Sequence, residues 1–414
     1  MGKLRQFTIA FDDKKDVFEA GECVKGHVVV ELAEDMKMRG VWLLFYGHSH
    51  VEWEHGSDDS STTYEAAETY FHHEVTLFGT AREQSSQGDT AVLPAGRHVF
   101  PFQYQLPADG LPCSFEGEHG YVRYIVKGTI NRPWKFDSTT KRAFTVLDKG
   151  DEDSHEAPIR THPHDLSRTT TTPSSLCCTT GPVELQVQPD RSVYCPGEVM
   201  VIRGSLTNNS REGVTGVEAR LVQIATFHGD YHTWLSGIKT KTKEAKTFVQ
   251  RVKISGCKRG ESLTFSPGNG AVLRVPAVPP SSLRFCKIID LEYRLDVVAC
   301  LEGTFSSNLK TRIPIKIGPY RRHPHDSALP PWGTLSAGPP AHPGPPPYTG
   351  PAVVSQPTSQ VPSAPNLDFP PPSYVESTRG ATSIRDADDS DYTMGELNFA
   401  PKYGYYDWSR HGQL

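Results

Sequence analysis

The sequence predicts an all-β protein: two β-sandwich domains in tandem, followed by a disordered Pro-rich C-terminal tail. Three observations carry this expectation. Strand-length segments alternate apolar and polar residues with a period of two, and no segment shows a convincing helical period. A short turn-and-strand pattern occurs twice, which suggests two copies of one unit. And 17 of the 34 prolines crowd between Pro319 and Pro372.

The first domain is expected over residues 1–147. In "YVRYIVKGTI", Val122, Tyr124, Val126, Gly128 and Ile130 fall on one face, and Arg123, Ile125, Lys127 and Thr129 on the other. Such alternation marks a half-buried strand. Residues 148–176 are rich in Thr, Ser, Pro and acidic side chains and read as an interdomain linker. The second domain is expected over 177–318. There Ile289, Leu291, Tyr293, Leu295, Val297 and Ala299 alternate with Asp290, Glu292, Arg294, Asp296 and Val298. The repeated pattern joins the domains: Val17, Phe18, Gly21 and Glu22 match Val193, Tyr194, Gly197 and Glu198 at one offset. The Gly-Glu pair fits a tight turn feeding a strand, with glycine at the positive-φ position.

The remaining residues, 319–414, are expected to stay unfolded. No Lys or Arg occurs from His323 to Thr378, and the composition cannot bury enough apolar surface to offset the ordering entropy. Near the C-terminus, "RDADDSDY" (385–392) is acidic and "YGYYDW" (403–408) is aromatic. These read as a solvated end, with a further docking peptide as the other reading.

The chain has 414 residues, a net charge of −5 and no apolar run near the ~20 residues a membrane helix needs. The start lacks the apolar core of a signal peptide, so a cytoplasmic protein is expected. The mild acidity argues against nucleic acid. Eight scattered cysteines are expected to be mostly reduced, with Cys177 and Cys178 adjacent. The His48/His50, His162/His164 and His323/His325 pairs lack finger-type companions and read as surface histidines, not as a metal site. There is no G-x-S-x-G elbow, phosphate loop or H-E-x-x-H, so neither catalysis nor a cofactor is expected.

Several segments together resemble the alpha-arrestins, the arrestin domain-containing proteins. They are "LPAGRHVFPFQYQLP" (93–107), "SFEGEHGYVRYIVKGTINRPW" (114–134), "LCCTTGPVEL" (176–185), "YCPGEVMVIRGSLTNNS" (194–210) and "VPAVPPSSLRFCKIIDLEYRLDV" (275–297), ending in "RIPIKIG" (312–318). The resemblance covers roughly 5–318. It implies two arrestin-like (immunoglobulin-like) sandwiches and a role in endocytic sorting. The body would contact membrane receptors or transporters as cargo, and the tail would recruit a ubiquitin ligase. The protein would then be peripheral, recruited to plasma membrane and endosomes. Arrestin folds also use basic surfaces against phosphorylated or acidic tails, and Lys3, Arg5, Lys14, Lys15, Lys25, Arg123 and Lys127 are the candidates in the first domain. The thioredoxin-binding branch of the family uses a cysteine in the second domain. The comparable segment here, 261–272, has none, and Cys257 lies just before it.

The tail carries short motifs. Pro345, Pro346 and Tyr348, and Pro371, Pro372 and Tyr374, each form PPxY, the ligand of WW domains such as those of HECT-type E3 ubiquitin ligases. A polyproline II peptide is already near its bound shape and loses little entropy on docking. The two tyrosines are 26 residues apart, a span of about 25–30 Å for a flexible coil. That suits a partner with several WW domains. Pro362, Ser363, Ala364 and Pro365 form a P-S/T-A-P pattern, which resembles ligands of ESCRT-I and suggests a scaffold for vesicle sorting or budding as the alternative.

Overall fold

The computed structural model describes residues 3–56, 61–87, 90–148, 166–171, 181–233, 237–302, 308–318, 381–386, 388–390 and 393–405. In the first domain the strands are β1 (Leu4–Phe11), β2 (Val17–Glu19), β3 (Cys23–Leu32), β4 (Met36–Met38), β5 (Gly40–His55), β6 (Thr62–Gly79), β7 (Ala91–Leu93), β8 (Gly96–Gln105), β9 (Phe115–Glu116), β10 (Gly120–Asn131) and β11 (Ser138–Leu147). Next comes β12 (Ser167–Thr171). The second domain holds β13 (Val183–Pro189), β14 (Val193–Tyr194), β15 (Val199–Asn208), β16 (Val214–Thr233), β17 (Gly237–Cys257), β18 (Ser262–Phe265), β19 (Val272–Arg274), β20 (Ile289–Leu301) and β21 (Leu309–Ile317). Three short strands end the order: β22 (Thr382–Ser383), β23 (Thr393–Gly395) and β24 (Asn398–Phe399). The helical elements among the described residues are short 3-10 turns.

Each domain is a sandwich, as the alternation implied. In the first, the sheet β1-β3-β8 packs on β6-β5-β10-β11-β2; in the second, β12-β13-β15-β18 packs on β17-β16-β20-β21-β14. The inward residues of β10 (Val122, Tyr124, Val126 and Ile130) are all fully buried, and so are those of β20 from Ile289 to Ala299. Tyr124 keeps its hydroxyl satisfied by donating to the Pro112 carbonyl at 2.6 Å. The long hairpins meet where Asp230 of β16 pairs with Glu65 of β6, so one sheet runs through both domains. Arg284 grips both oxygens of Asp148 at 2.9 and 3.1 Å across the same junction.

The internal repeat is physical. Gly21 and Gly197 sit at φ 78° and 90°, the left-handed region that only glycine enters cheaply. The glutamate after each folds back onto the turn: Glu22 accepts from the Glu19 amide at 2.9 Å, and Glu198 from the Cys195 amide at 2.8 Å. The residues before each turn form a short strand parallel to the last strand of its own domain, β2 to β11 and β14 to β21.

Two segments differ from expectation. Within the linker, β12 pairs with β13 along its whole length, and Thr169 shares a hydroxyl hydrogen bond with Thr311 at 2.7 Å. Threonine is a good strand former even where no apolar residue announces a strand. Within the expected unfolded tail, residues 381–405 form β22, β23 and β24 and pack on the first domain. Ile384, Phe399 and Tyr403 supply the apolar burial that holds the segment.

Candidate functional site

The outward face of β5, β10 and β11 is where the residues of interest converge. Register places Tyr46, Ile125 and Ala143 side by side, with Lys127 beside Lys141 and Arg123 beside His48. A sheet face open to water would leave Ile125 exposed. Instead Ile125 is fully buried, under Ile384 and Phe399 of the C-terminal segment.

The segment is held by backbone pairing as well as side chains. β23 runs parallel to β11, Thr139 opposite Thr393 and Lys141 opposite Gly395. Gly395 has φ 98°, and a Cβ there would come within 2.3 Å of the Lys141 carbonyl, so the close approach requires glycine. Lys141 is 0% exposed. Its ammonium donates to the carboxylates of Asp386 and Asp389, the latter at 2.7 Å. Burial alone would disfavour the Asp389 carboxylate; the hydrogen bonds from Lys141 and from the Asp386 amide outweigh it and lower its pKa. Further along, Lys402 reaches Asp16 at 2.6 Å, and the buried Tyr403 donates to the Ser114 carbonyl at 3.0 Å. Tyr403 lines a small cavity with Cys113 and Leu147 of the first domain and Pro196 and Val278 of the second.

The seven expected surface cations divide. Arg123 is not a surface cation: it is 6% exposed and grips both oxygens of Glu116 at 2.6 and 2.8 Å, with its guanidinium 3.6 Å from the centre of the Tyr121 ring. The other oxygen-sharing partner of Glu116 is Thr382 of the C-terminal segment, which donates at 2.8 Å. Lys127 is half-buried beside Lys141. Lys3 pairs with Glu34, Arg5 with Glu31 and Lys15 with Glu22, all at the surface, where such pairs contribute little. Lys14 and Lys25 are exposed. Arg5 and Lys25 lie toward opposite ends of the β1–β3 ladder, about 20 Å apart at strand spacing. The seven residues therefore do not form one patch.

His48 is half-buried, stacked on Tyr46, and burial pushes its pKa down to about 4, so it is neutral at pH 7. That differs from an ordinary surface histidine. Among the described residues no group of three His, Cys, Asp or Glu side chains could hold a metal ion. His162, His164, His323, His325, Cys177 and Cys178 lie outside the described residues, as do all residues of the two PPxY motifs and of Pro362–Pro365. Sequence reasoning missed Lys141, Asp386, Asp389 and Tyr403. The available signals were Ile125, an apolar residue on an otherwise polar strand face, and the acidic and aromatic runs at 385–392 and 403–408, for which a docking peptide was the other reading.

Two linked sandwiches of this topology, each closed by a short parallel strand that runs into a Gly-Glu turn, define a two-domain arrestin fold. Residues 7–152 match the arrestin (or S-antigen) N-terminal domain, and residues 179–321 match the arrestin C-terminal domain. Arrestin domain-containing protein 4 of Mus musculus is 30% identical over 335 residues, covering 77% of this chain and 73% of that protein. Arrestin domain-containing protein 17 of Caenorhabditis elegans is 29% identical, covering 72% and 68%. Thioredoxin-interacting protein of Pongo abelii is 28% identical, covering 76% and 75%. The chain belongs to the arrestin family, in the alpha-arrestin branch of arrestin domain-containing proteins. Proteins of this family are non-enzymatic adaptors. Among the described residues no helix is long and apolar enough to cross a membrane.

Proposed function

We propose that this chain links membrane cargo, receptors or transporters, to WW-domain HECT-type E3 ubiquitin ligases. The outcome would be cargo ubiquitylation, endocytosis and endosomal sorting. The observation that carries the reading is the pair of PPxY motifs at Tyr348 and Tyr374 behind an alpha-arrestin body. The chain works from the cytoplasmic side, recruited to plasma membrane and endosomes. Each motif alone binds weakly, and docking at one raises the effective concentration at the other. No lysine occurs between Lys316 and Lys402, so ubiquitin placed on the adaptor itself falls mainly on the body.

Pull-down of a tandem WW fragment tests this. Tyr348→Ala and Tyr374→Ala are each expected to weaken capture, and together to abolish it; undiminished capture by the double variant would sink the mechanism. Pro362–Pro365 favour a second reading, ESCRT-I recruitment for vesicle sorting or budding. Pro362→Ala with Pro365→Ala should then stop vesicle release while cargo ubiquitylation persists. A thioredoxin-type redox role is disfavoured by Cys257. Burial, then the nearby Glu261 carboxylate, raise its pKa, the opposite of what a reactive thiolate needs.

A further inference from the structure

The β10–β11 connection, "RPWKFD" (132–137), presents the most exposed large apolar side chains of the described residues. Trp134 is 99% exposed and Phe136 79%. Scattered exposed apolar residues are ordinary, but two aromatic rings two residues apart at one hairpin tip are not scattered.

The tip is held in shape. Asn131 donates to both oxygens of Asp137 at 2.9 and 3.1 Å, and Arg39 donates to the Asn131 side-chain oxygen at 3.1 Å. Arg132 donates to the Phe136 carbonyl at 2.8 Å, closing the turn beneath the rings. Trp134 adopts φ 60°, an uncommon left-handed conformation for a bulky side chain. Strain of this kind persists only where the surroundings hold it.

Around the rings lies positive charge. Arg39, Arg132, Lys135, Trp134 and Phe136 line an open depression of about 700 Å³. Among the described residues none of the three cations has a carboxylate in ion-pair reach; Arg39 and Arg132 bury their Nε and donate from a terminal nitrogen to Asn131 and to the Phe136 carbonyl, which leaves their charge without a counter-ion. Asp137, the acid nearest the tip, is turned back onto Asn131.

We propose that this hairpin tip is a membrane-docking site, with Trp134 and Phe136 entering the interfacial region of a bilayer while Arg39, Arg132 and Lys135 meet anionic lipid headgroups. The occupant follows from shape and charge. The rings stand almost fully exposed at a hairpin tip, over a wide, open depression and not inside a closed pocket, so they suit a soft apolar phase better than a folded protein surface. Tryptophan favours the headgroup level, and cations beside it are attracted to an anionic leaflet. A few aromatic residues and a basic patch give reversible attachment, not permanent insertion. The site deepens the adaptor reading and rests on it for its biological setting, since an adaptor for membrane cargo works at a bilayer.

Co-sedimentation of the full chain with vesicles tests the site. The wild-type chain should sediment with phosphatidylcholine vesicles containing about one-third phosphatidylserine, and far less with phosphatidylcholine alone. Trp134→Ser with Phe136→Ser should weaken the anionic-vesicle affinity about tenfold or more. Lys135→Gln should give a smaller loss that high salt erases. The exposed rings support no core, so the melting temperature should not change. Equal sedimentation of wild type and the double serine variant would overturn the proposal, as would equal binding to neutral vesicles or no vesicle binding at all. WW-fragment capture in membrane-free solution does not use the tip, so its failure in the Tyr348/Tyr374 experiment is separable from failure here.

Discussion

Replacing Arg123 with methionine is expected to destabilise the first domain by about 3–5 kcal/mol. The reason is what the substitution leaves behind. Glu116 has a side chain 3% exposed, and without the guanidinium its carboxylate keeps only the Thr382 hydroxyl. Both partners sit on the outward face of β9 and β10, with Tyr121 against the guanidinium and Thr382 of the C-terminal segment against the carboxylate, so both are shielded from water. For a domain of this size each kcal/mol moves the melting temperature by about 2–4 °C, so a fall near 10 °C is expected. Arg123→Lys should be intermediate, because an ammonium cannot supply the two parallel hydrogen bonds. Removing both charges, Arg123→Met with Glu116→Leu, should recover much of the loss. Thermal unfolding decides: a fall under about 2 °C for Arg123→Met would mean an ion pair of the surface kind.

The second large effect is expected at Lys141, and it has a different form. Lys141→Met leaves Asp389, with a side chain 1% exposed, buried without its cation. Breaking such a pair costs about 3–5 kcal/mol, but here the orphaned carboxylate has a way out. Residues 381–405 can leave the sheet and take Asp386 and Asp389 into water. The loss of global stability is therefore capped at the docking free energy of the segment, and the main result is its release. Hydrogen exchange at the amides of Gly395 and Glu396 should accelerate by on the order of 10²-fold or more, with trypsin cutting after Arg385. Asp389→Asn should do the same, and Asp386→Asn less, because Asp386 is 34% exposed. Unchanged exchange in Lys141→Met would contradict the role given to the ion pair. The pH sense follows from the lowered pKa of Asp389. A carboxylate with a depressed pKa contributes in full above its ordinary value, about 4. The contribution is lost as pH falls through the depressed value. This ion pair should thus hold the segment at neutral and mildly acidic pH and fail only in strong acid.

Much of the fold was legible, and for definite reasons. The inward residues of β10 and β20 are apolar at every second position because water lies on one side of the strand and the opposing sheet on the other. Gly21 and Gly197 were legible as turn residues because few other residues tolerate their φ. The repeat predicted two related domains, and the parallel closure of β2 on β11 and of β14 on β21 gives it a structural meaning. β12 was not legible, since "SRTTT" has no apolar residue and owes its conformation to pairing with β13.

The outward face of β10 was the instructive failure. Arg123 looked like a surface cation because it alternates with buried residues, yet both faces of this strand are covered. The cover lies more than 250 residues downstream, and no local pattern encodes a contact at that separation. Its sequence, acidic and following a long Pro-rich stretch, has the composition of a solvated end. Only the coincidence of Ile125 on a polar face, a lysine on the neighbouring strand and a distant cluster of aspartates reveals the match in retrospect.

The central claim is that one chain brings ligase and membrane cargo together, the tail tyrosines holding the ligase and the arrestin body holding the cargo. Proximity labelling from the full chain in cells tests it most directly. The wild type should label a WW-domain HECT ligase together with membrane receptors or transporters. The Tyr348→Ala, Tyr374→Ala variant should lose the ligase and keep the membrane proteins. Equal labelling of the ligase by both chains, or loss of ligase and cargo in parallel, would contradict the account.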